Sequence, residues 1–197
     1  MTRTPSTMRL NPGDAAPSFT LRNYNTAVGG QSIALADVAG DRGTLVMFIC
    51  NHCPFVKHVA DELAKLGHYC QSHGVGVVAI QPNNIDEYPD DAPDRMTLEA
   101  EGRGYTFPYL HDADQSVAKA YGASCTPDFF LLDASQAIFY RGQLDDARPG
   151  SDEPVTGSDL RRAIADLLAG QPAPSTQKPS IGCNIKWAPG NEPDYFG

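Results

Sequence analysis

Positive charge is scarce in this chain of 197 residues: 15 Lys and Arg stand against 24 Asp and Glu, for a net charge of −9, and the basic residues form no cluster. An acidic surface attracts neither a phosphate backbone nor an anionic headgroup, so nucleic acid and membrane are excluded as expected partners. Long apolar runs are missing too. No stretch approaches the length of a membrane span, and Met1 to Leu10, with two arginines, lacks the apolar centre of a secretory signal. The expected location is cytoplasmic. Five cysteines are an odd number and do not read as a secreted disulfide framework; in a reducing compartment they point to redox chemistry, metal binding or burial. Neither a second CxxC nor an HxxxH is present. What remains, 41% hydrophobic and 20% charged residues, fits one ordinary domain with a short extension.

The pattern along the chain alternates strand and helix. Phe19 and Leu21 alternate with polar neighbours, and Ser32 to Leu35 follows a Gly-rich turn, which predicts an N-terminal pair of short strands. The apolar run Leu45 to Ile49 predicts a central strand buried on both faces. From Pro54 to about Ser72, Val56, Val59, Leu63, Leu66 and Cys70 recur at spacings of three and four, an amphipathic helix with Cys70 on its buried stripe. Val75 to Ile80 then completes a strand, helix, strand unit with parallel strands. Further on, a helix is expected over Arg95 to Arg103, a strand over Phe107 to Leu110, a helix over Gln115 to Tyr121, a hairpin from Phe129–Asp133 to Ala137–Arg141, and a last helix opening at Ser158. Residues 8–170 form the domain. Residues 171–197 begin as a proline-rich, extended linker and regain apolar character at Ile181 to Trp187, where the tail is expected to dock back.

Cys53 lies where the buried strand hands over to the amphipathic helix. Pro54 is suited to the first helical position, where its missing N–H costs nothing, so Cys53 is the expected N-cap. Unpaired amide N–H groups and the positive end of the helix dipole favour an anion there, which predicts a stabilised thiolate. His52 adjoins it and adds positive charge when protonated; Lys57 and His58 lie early in the helix, where cations oppose the dipole. Tyr121, Tyr140 and Arg141 read as packing and hairpin-end residues. Cys50-Asn51-His52-Cys53 has the spacing of a redox motif in a βαβ context, and Cys125-Thr126-Pro127-Asp128-Phe129-Phe130 leads into a strand.

With strand, cysteine helix, Thr-Pro and closing hairpin in this order, the chain resembles the thioredoxin superfamily, and more narrowly its redoxin or peroxiredoxin-like branch. Gly13-Asp14-Ala15-Ala16-Pro17-Ser18-Phe19-Thr20-Leu21 is similar to that branch's entry motif, and Asn51 to His58, Cys125 to Phe130 and Ser180 to Trp187 resemble a subgroup of thioredoxin-family proteins. The resemblance implies an α/β, thioredoxin-like fold: a central mixed sheet flanked by helices, with an N-terminal β-hairpin extension and a C-terminal tail. It implies a cis peptide at Thr126–Pro127 beside the thiol, and a site of Cys53, Cys50, His52, Thr126 and Pro127 that needs no cofactor or metal. Two departures stand out. Cys50 occupies the place of the threonine that peroxiredoxins carry three residues before the peroxidatic cysteine, with no arginine matched. Against thioredoxin, His52 replaces the tryptophan and Val56 the second cysteine. The partner for Cys53 is open among Cys50, Cys125 and Cys183, in that order of expectation. The implied chemistry is thiol–disulfide exchange or peroxide reduction at Cys53, acting on a disulfide-containing protein or a small peroxide or disulfide, with a thiol reductant. Two other classes compete: a Cu or Zn module on Cys50, His52, Cys53 and His58, and a non-catalytic protein holding an extended peptide beside Pro127.

Overall fold

A computed structural model describes residues 3–196. The order is β1 (Thr4–Pro5), β2 (Thr20–Asn23), β3 (Ser32–Ala34), β4 (Gly43–Phe48), α1 (Pro54–Ser72), β5 (Val75–Gln81), α2 (Pro93–Arg103), β6 (Tyr109–His111), α3 (Ser116–Tyr121), β7 (Cys125–Thr126), β8 (Asp128–Leu132), β9 (Ile138–Gly142), α4 (Ser158–Leu168) and β10 (Ile181–Asn184). Seven strands form the main sheet in the order β3-β2-β6-β5-β4-β8-β9. Its β4–β5 and β5–β6 pairs are parallel and the others antiparallel. A second, small sheet joins the two ends of the chain to the site, with β10 between β1 and β7.

β4 is buried at every position, and its period of two divides the interior. Leu45 and Met47 face one apolar cluster with Val56, Val59, Leu63 and Leu66 of α1, Met96 and Ala100 of α2, and Leu160 and Ile164 of α4. Val46 and Phe48 face the other, with Phe19, Val117 and Tyr121, and with Ile185 and Trp187 of the tail. Helices therefore cover both faces, which explains why β4 reads as a continuous apolar run rather than an alternating one. Tyr121 packs edge-on against Phe48 and Phe130 in this second layer, and Arg141 is fully buried against Asp128.

Three boundaries differ from the sequence pattern for identifiable reasons. β6 starts at Tyr109 rather than Phe107, because the Asn25 amide donates to the carbonyls of Tyr105 and Phe107 at 2.9 Å each and holds them out of the ladder. α2 starts at Pro93 rather than Arg95, with proline again in its first turn. Gln115 lies outside α3, in the left-handed region with φ 61°, while its side-chain amide donates to the carbonyls of Pro82 and Lys186.

Candidate active site

β4 ends at Phe48, and the loop Ile49 to Cys53 carries the chain to the start of α1. Cys53 is the N-cap, with extended backbone (φ −66°, ψ 122°), and Pro54 follows it. On the other side stands the turn from β7 to β8, where the Thr126–Pro127 peptide is cis. The two segments touch through sulfur: Cys50 Sγ lies 3.3 Å from Thr126 Oγ1, and protonated Cys53 Sγ donates to the Thr126 carbonyl at 3.2 Å.

The ionised form of Cys53 has the stronger support. Hydrogen bonds from the Cys183 thiol, then from the Cys50 thiol, hold its pKa far below that of a free thiol; burial opposes them, and the Val56 N–H and the Thr126 hydroxyl add to the lowering. Val56 is the third residue of α1, so its N–H is one of the helix's unpaired amides close to the sulfur, and the Cys53 side chain makes no cap hydrogen bond in this arrangement. The neighbours carry the complementary shifts. Burial, then the hydrogen bond to Cys53, raises the Cys50 thiol, while the hydrogen bond to Cys53, then burial, raises that of Cys183. One thiolate is shared by three sulfurs.

The loop itself is fixed from a distance by Asp91, which is fully buried. Its Oδ1 accepts from the backbone N–H of Asn51 at 2.8 Å and of His52 at 3.0 Å. Its Oδ2 lies 2.6 Å from His52 Nδ1 and accepts from the Asn83 amide at 2.8 Å. Burial pushes this carboxyl up, but the hydrogen bonds from His52 and Asn83 outweigh it, leaving the pKa below the ordinary range. Tyr109 donates to Asn51 Oδ1 at 2.9 Å, and the His52 ring stacks on Tyr88 with centroids 5.0 Å apart. His52 is thus held by a carboxylate on one edge and an aromatic face.

Asp91, Asn83, Tyr109 and Tyr88 are functional neighbours that the sequence pattern did not single out. Pro89-Asp90-Asp91 reads as a polar surface turn; the only available signal is that it follows two asparagines and a glutamine just past a buried strand.

The predicted residues separate clearly. Cys53, Cys50, His52, Thr126, Pro127 and Cys183 converge. Cys125 does not join the sulfur cluster: its Sγ sits 3.8 Å from the Pro127 carbonyl, with Asp128 and Arg141 the charges around it besides Cys53. Cys70 lies on the buried stripe near the far end of α1, where burial raises its thiol to about 12. Arg141 does not reach Cys53 but donates to Ser6 Oγ at 2.8 Å and faces Asp128. Among the described residues, Cys50, His52 and Asp91 form the one group whose ligand atoms, within 4.8 Å of one another, match a metal set; His58 is outside it. The four hydrogen bonds already accepted by Asp91 make that group better suited to orienting His52 than to holding an ion.

Residues 12–141 match the AhpC/TSA family. The chain belongs to that family. Among curated relatives of this AhpC/TSA protein, Putative peroxiredoxin MT2597 of Mycobacterium tuberculosis is 34% identical over 118 residues, 59% of this chain and 67% of the relative. Thiol-disulfide oxidoreductase ResA of Oceanobacillus iheyensis is 26% identical over 120 residues, 61% of this chain and 58% of the relative. An uncharacterized conserved protein of Geobacillus kaustophilus, 50% identical, superposes with a TM-score of 0.91 over 96% of this chain and 98% of that one. The AhpC/TSA protein is a thioredoxin-like oxidoreductase in fold and family, and the mixed sheet with flanking helices is the architecture its motifs imply.

Proposed function

We propose that the protein performs thiol–disulfide exchange, with Cys53 as the attacking thiolate. The observation that carries this reading is the sulfur cluster: Cys53 sits at the N-terminus of α1, Cys50 and Cys53 both contact Thr126, and Cys183 pairs with Thr126 on the neighbouring strand. A lowered pKa keeps the nucleophile ionised at neutral pH, and an adjacent thiol supplies the second sulfur that exchange needs. Peroxide reduction draws on the same thiolate. It ranks second here because Cys50 stands where peroxiredoxins place a threonine, and because the buried Arg141 is turned to Asp128 and Ser6.

Beside the site, Phe55, Val59, Pro127 and Phe129 together with Gln143, Asp145 and Arg148 line a small groove of mixed polarity. A disulfide-containing protein or small molecule is the proposed substrate class, with a thiol reductant completing the cycle.

The test compares turnover of a small aromatic disulfide and of hydrogen peroxide by the native protein and by Cys53→Ser, with dithiothreitol as reductant. The reading expects faster turnover of the disulfide and its loss in the variant. Equal rates in the two proteins contradict it, and peroxide turnover outpacing disulfide turnover moves the assignment to peroxide reduction. Stoichiometric copper or zinc in the purified protein, together with unreactive thiols, supports the metal module instead.

A further inference from the structure

Resting on the reading that Cys53 is the nucleophile, we propose that Cys183, carried on the C-terminal strand, is its resolving partner, closing an intramolecular Cys53–Cys183 disulfide across the N-terminus of α1. The geometry begins with β10. Cys183 pairs with Thr126 in antiparallel register, so the two side chains share one face of the small sheet. The Thr126 side chain on that face touches Cys50, and the Thr126 carbonyl touches Cys53. Register thus sets Cys183 beside Thr126, whose atoms contact both sulfurs of the loop.

Gly182 makes the approach close enough. A Cβ at that position would stand 2.0 Å from the Thr126 carbonyl oxygen and 2.6 Å from its carbon. Any side chain there drives β10 away from the turn. β10 also packs against the start of α1, whose first-turn residues Phe55 and Val56 lie beside Cys183 and Cys53 respectively. The other cysteines lack this placement. Cys70 is sixteen residues along α1 from Pro54, about 24 Å away at the helical rise. Cys125 is directed at the Pro127 carbonyl. Cys50 also neighbours Cys53 in the loop, but it precedes two amides pinned by Asp91, whereas Cys183 lies on a terminal strand with a two-residue neighbour on either side.

The chemistry takes two steps. The Cys53 thiolate attacks a substrate disulfide; a new S–S bond forms, the old one breaks, and one substrate sulfur leaves as a thiolate that takes a proton. Cys183 then attacks the Cys53 sulfur of this mixed disulfide. The Cys53–Cys183 bond forms, the second substrate sulfur leaves with the proton from Cys183, and the substrate is reduced by two electrons that a thiol reductant later restores.

Cys53 Sγ is covered in this arrangement, with the residue 0% exposed. Substrate therefore reaches the sulfur only after one of the segments packed on it shifts.

Disulfide mapping after one equivalent of small aromatic disulfide tests the assignment. Trypsin leaves Cys50 and Cys53 together in residues 43–57 and Cys183 alone in residues 163–186. The expected product is a cross-link between these two peptides, retained in Cys50→Ser. In Cys183→Ser, the mixed disulfide on Cys53 should persist. A bond inside residues 43–57 overturns the role of Cys183 while leaving Cys53 as nucleophile. Absence of any modification at Cys53 overturns both.

Discussion

Replacing Gly182 by alanine separates Cys183 from Cys53 without touching either sulfur. The added Cβ would overlap backbone atoms of Thr126 at 2.0 and 2.6 Å, and backbone cannot swing aside as a flexible side chain can. Normal carbon contacts lie at about 3.5 to 4.0 Å, so β10 must retreat by an amount on the order of 1 Å or more. The neighbouring Cys183 thiol favours the ionised form of Cys53 as a hydrogen-bond donor. A hydrogen bond to a charged group is worth roughly 1.5 to 3 kcal/mol. Its loss raises the pKa of Cys53 by about one to two units, since each unit corresponds to about 1.4 kcal/mol. Iodoacetamide alkylation of Cys53 followed across pH reads both consequences. The midpoint should move up by that amount, while the limiting rate at high pH should rise because the strand uncovers a sulfur that is otherwise buried. An alanine variant that folds normally and shows the native midpoint and limiting rate refutes the reasoning, since the clash would then have been absorbed without moving Cys183.

Asp91→Asn places an amide N–H toward groups that already donate, either His52 Nδ1 and Asn83 or the Asn51 and His52 amides. Breaking such a buried network costs about 3 kcal/mol, measurable as a lowered urea midpoint; a change below about 0.5 kcal/mol contradicts the pinning role. Asp91 has a lowered pKa, so its stabilisation is full above the ordinary carboxylate value and is lost as pH falls through the folded-state value. The asparagine variant should lose that acid-side slope. Asp112 has the opposite sign: burial raises it to about 6, despite hydrogen bonds from the Ala118 and Val117 amides. Between about pH 4 and 6 the unfolded chain gives up this proton first, so the contribution of Asp112 to stability declines with rising pH by roughly 3 kcal/mol. Chemical denaturation should show Asp112→Asn gaining on the native protein across that window and levelling off above it; parallel curves contradict the shift.

The site was legible where it is local or where its two halves are marked by distinctive residues. Cys53 followed by Pro54 specifies an N-cap on its own, because proline restricts where a helix can begin, and the alternation of strand and helix around it follows from burial. Thr126 and Pro127 were found through resemblance rather than spacing. Asp91 was hidden because acidic residues beside a proline ordinarily mark a solvated turn, and nothing local reveals that this turn folds under the loop at residues 51 and 52. The expectation that Cys50 comes first among partners for Cys53 rested on nearness in sequence; Cys183 competes with it only through the β10 register and the close approach at Gly182, both set by contacts between distant segments. The strand boundary at Tyr109 and the helix boundary at Ser116 likewise depended on Asn25 and Gln115, whose amides reach carbonyls far along the chain.

The account stands on the ionised state of one sulfur, and the ultraviolet absorbance of a thiolate reports it directly. Subtracting the pH titration of Cys53→Ser from that of the native protein isolates the Cys53 contribution. One full thiolate already present at pH 6 is the predicted result. A signal that emerges only with a midpoint at or above the free-thiol value of about 8.5 contradicts the account at its base.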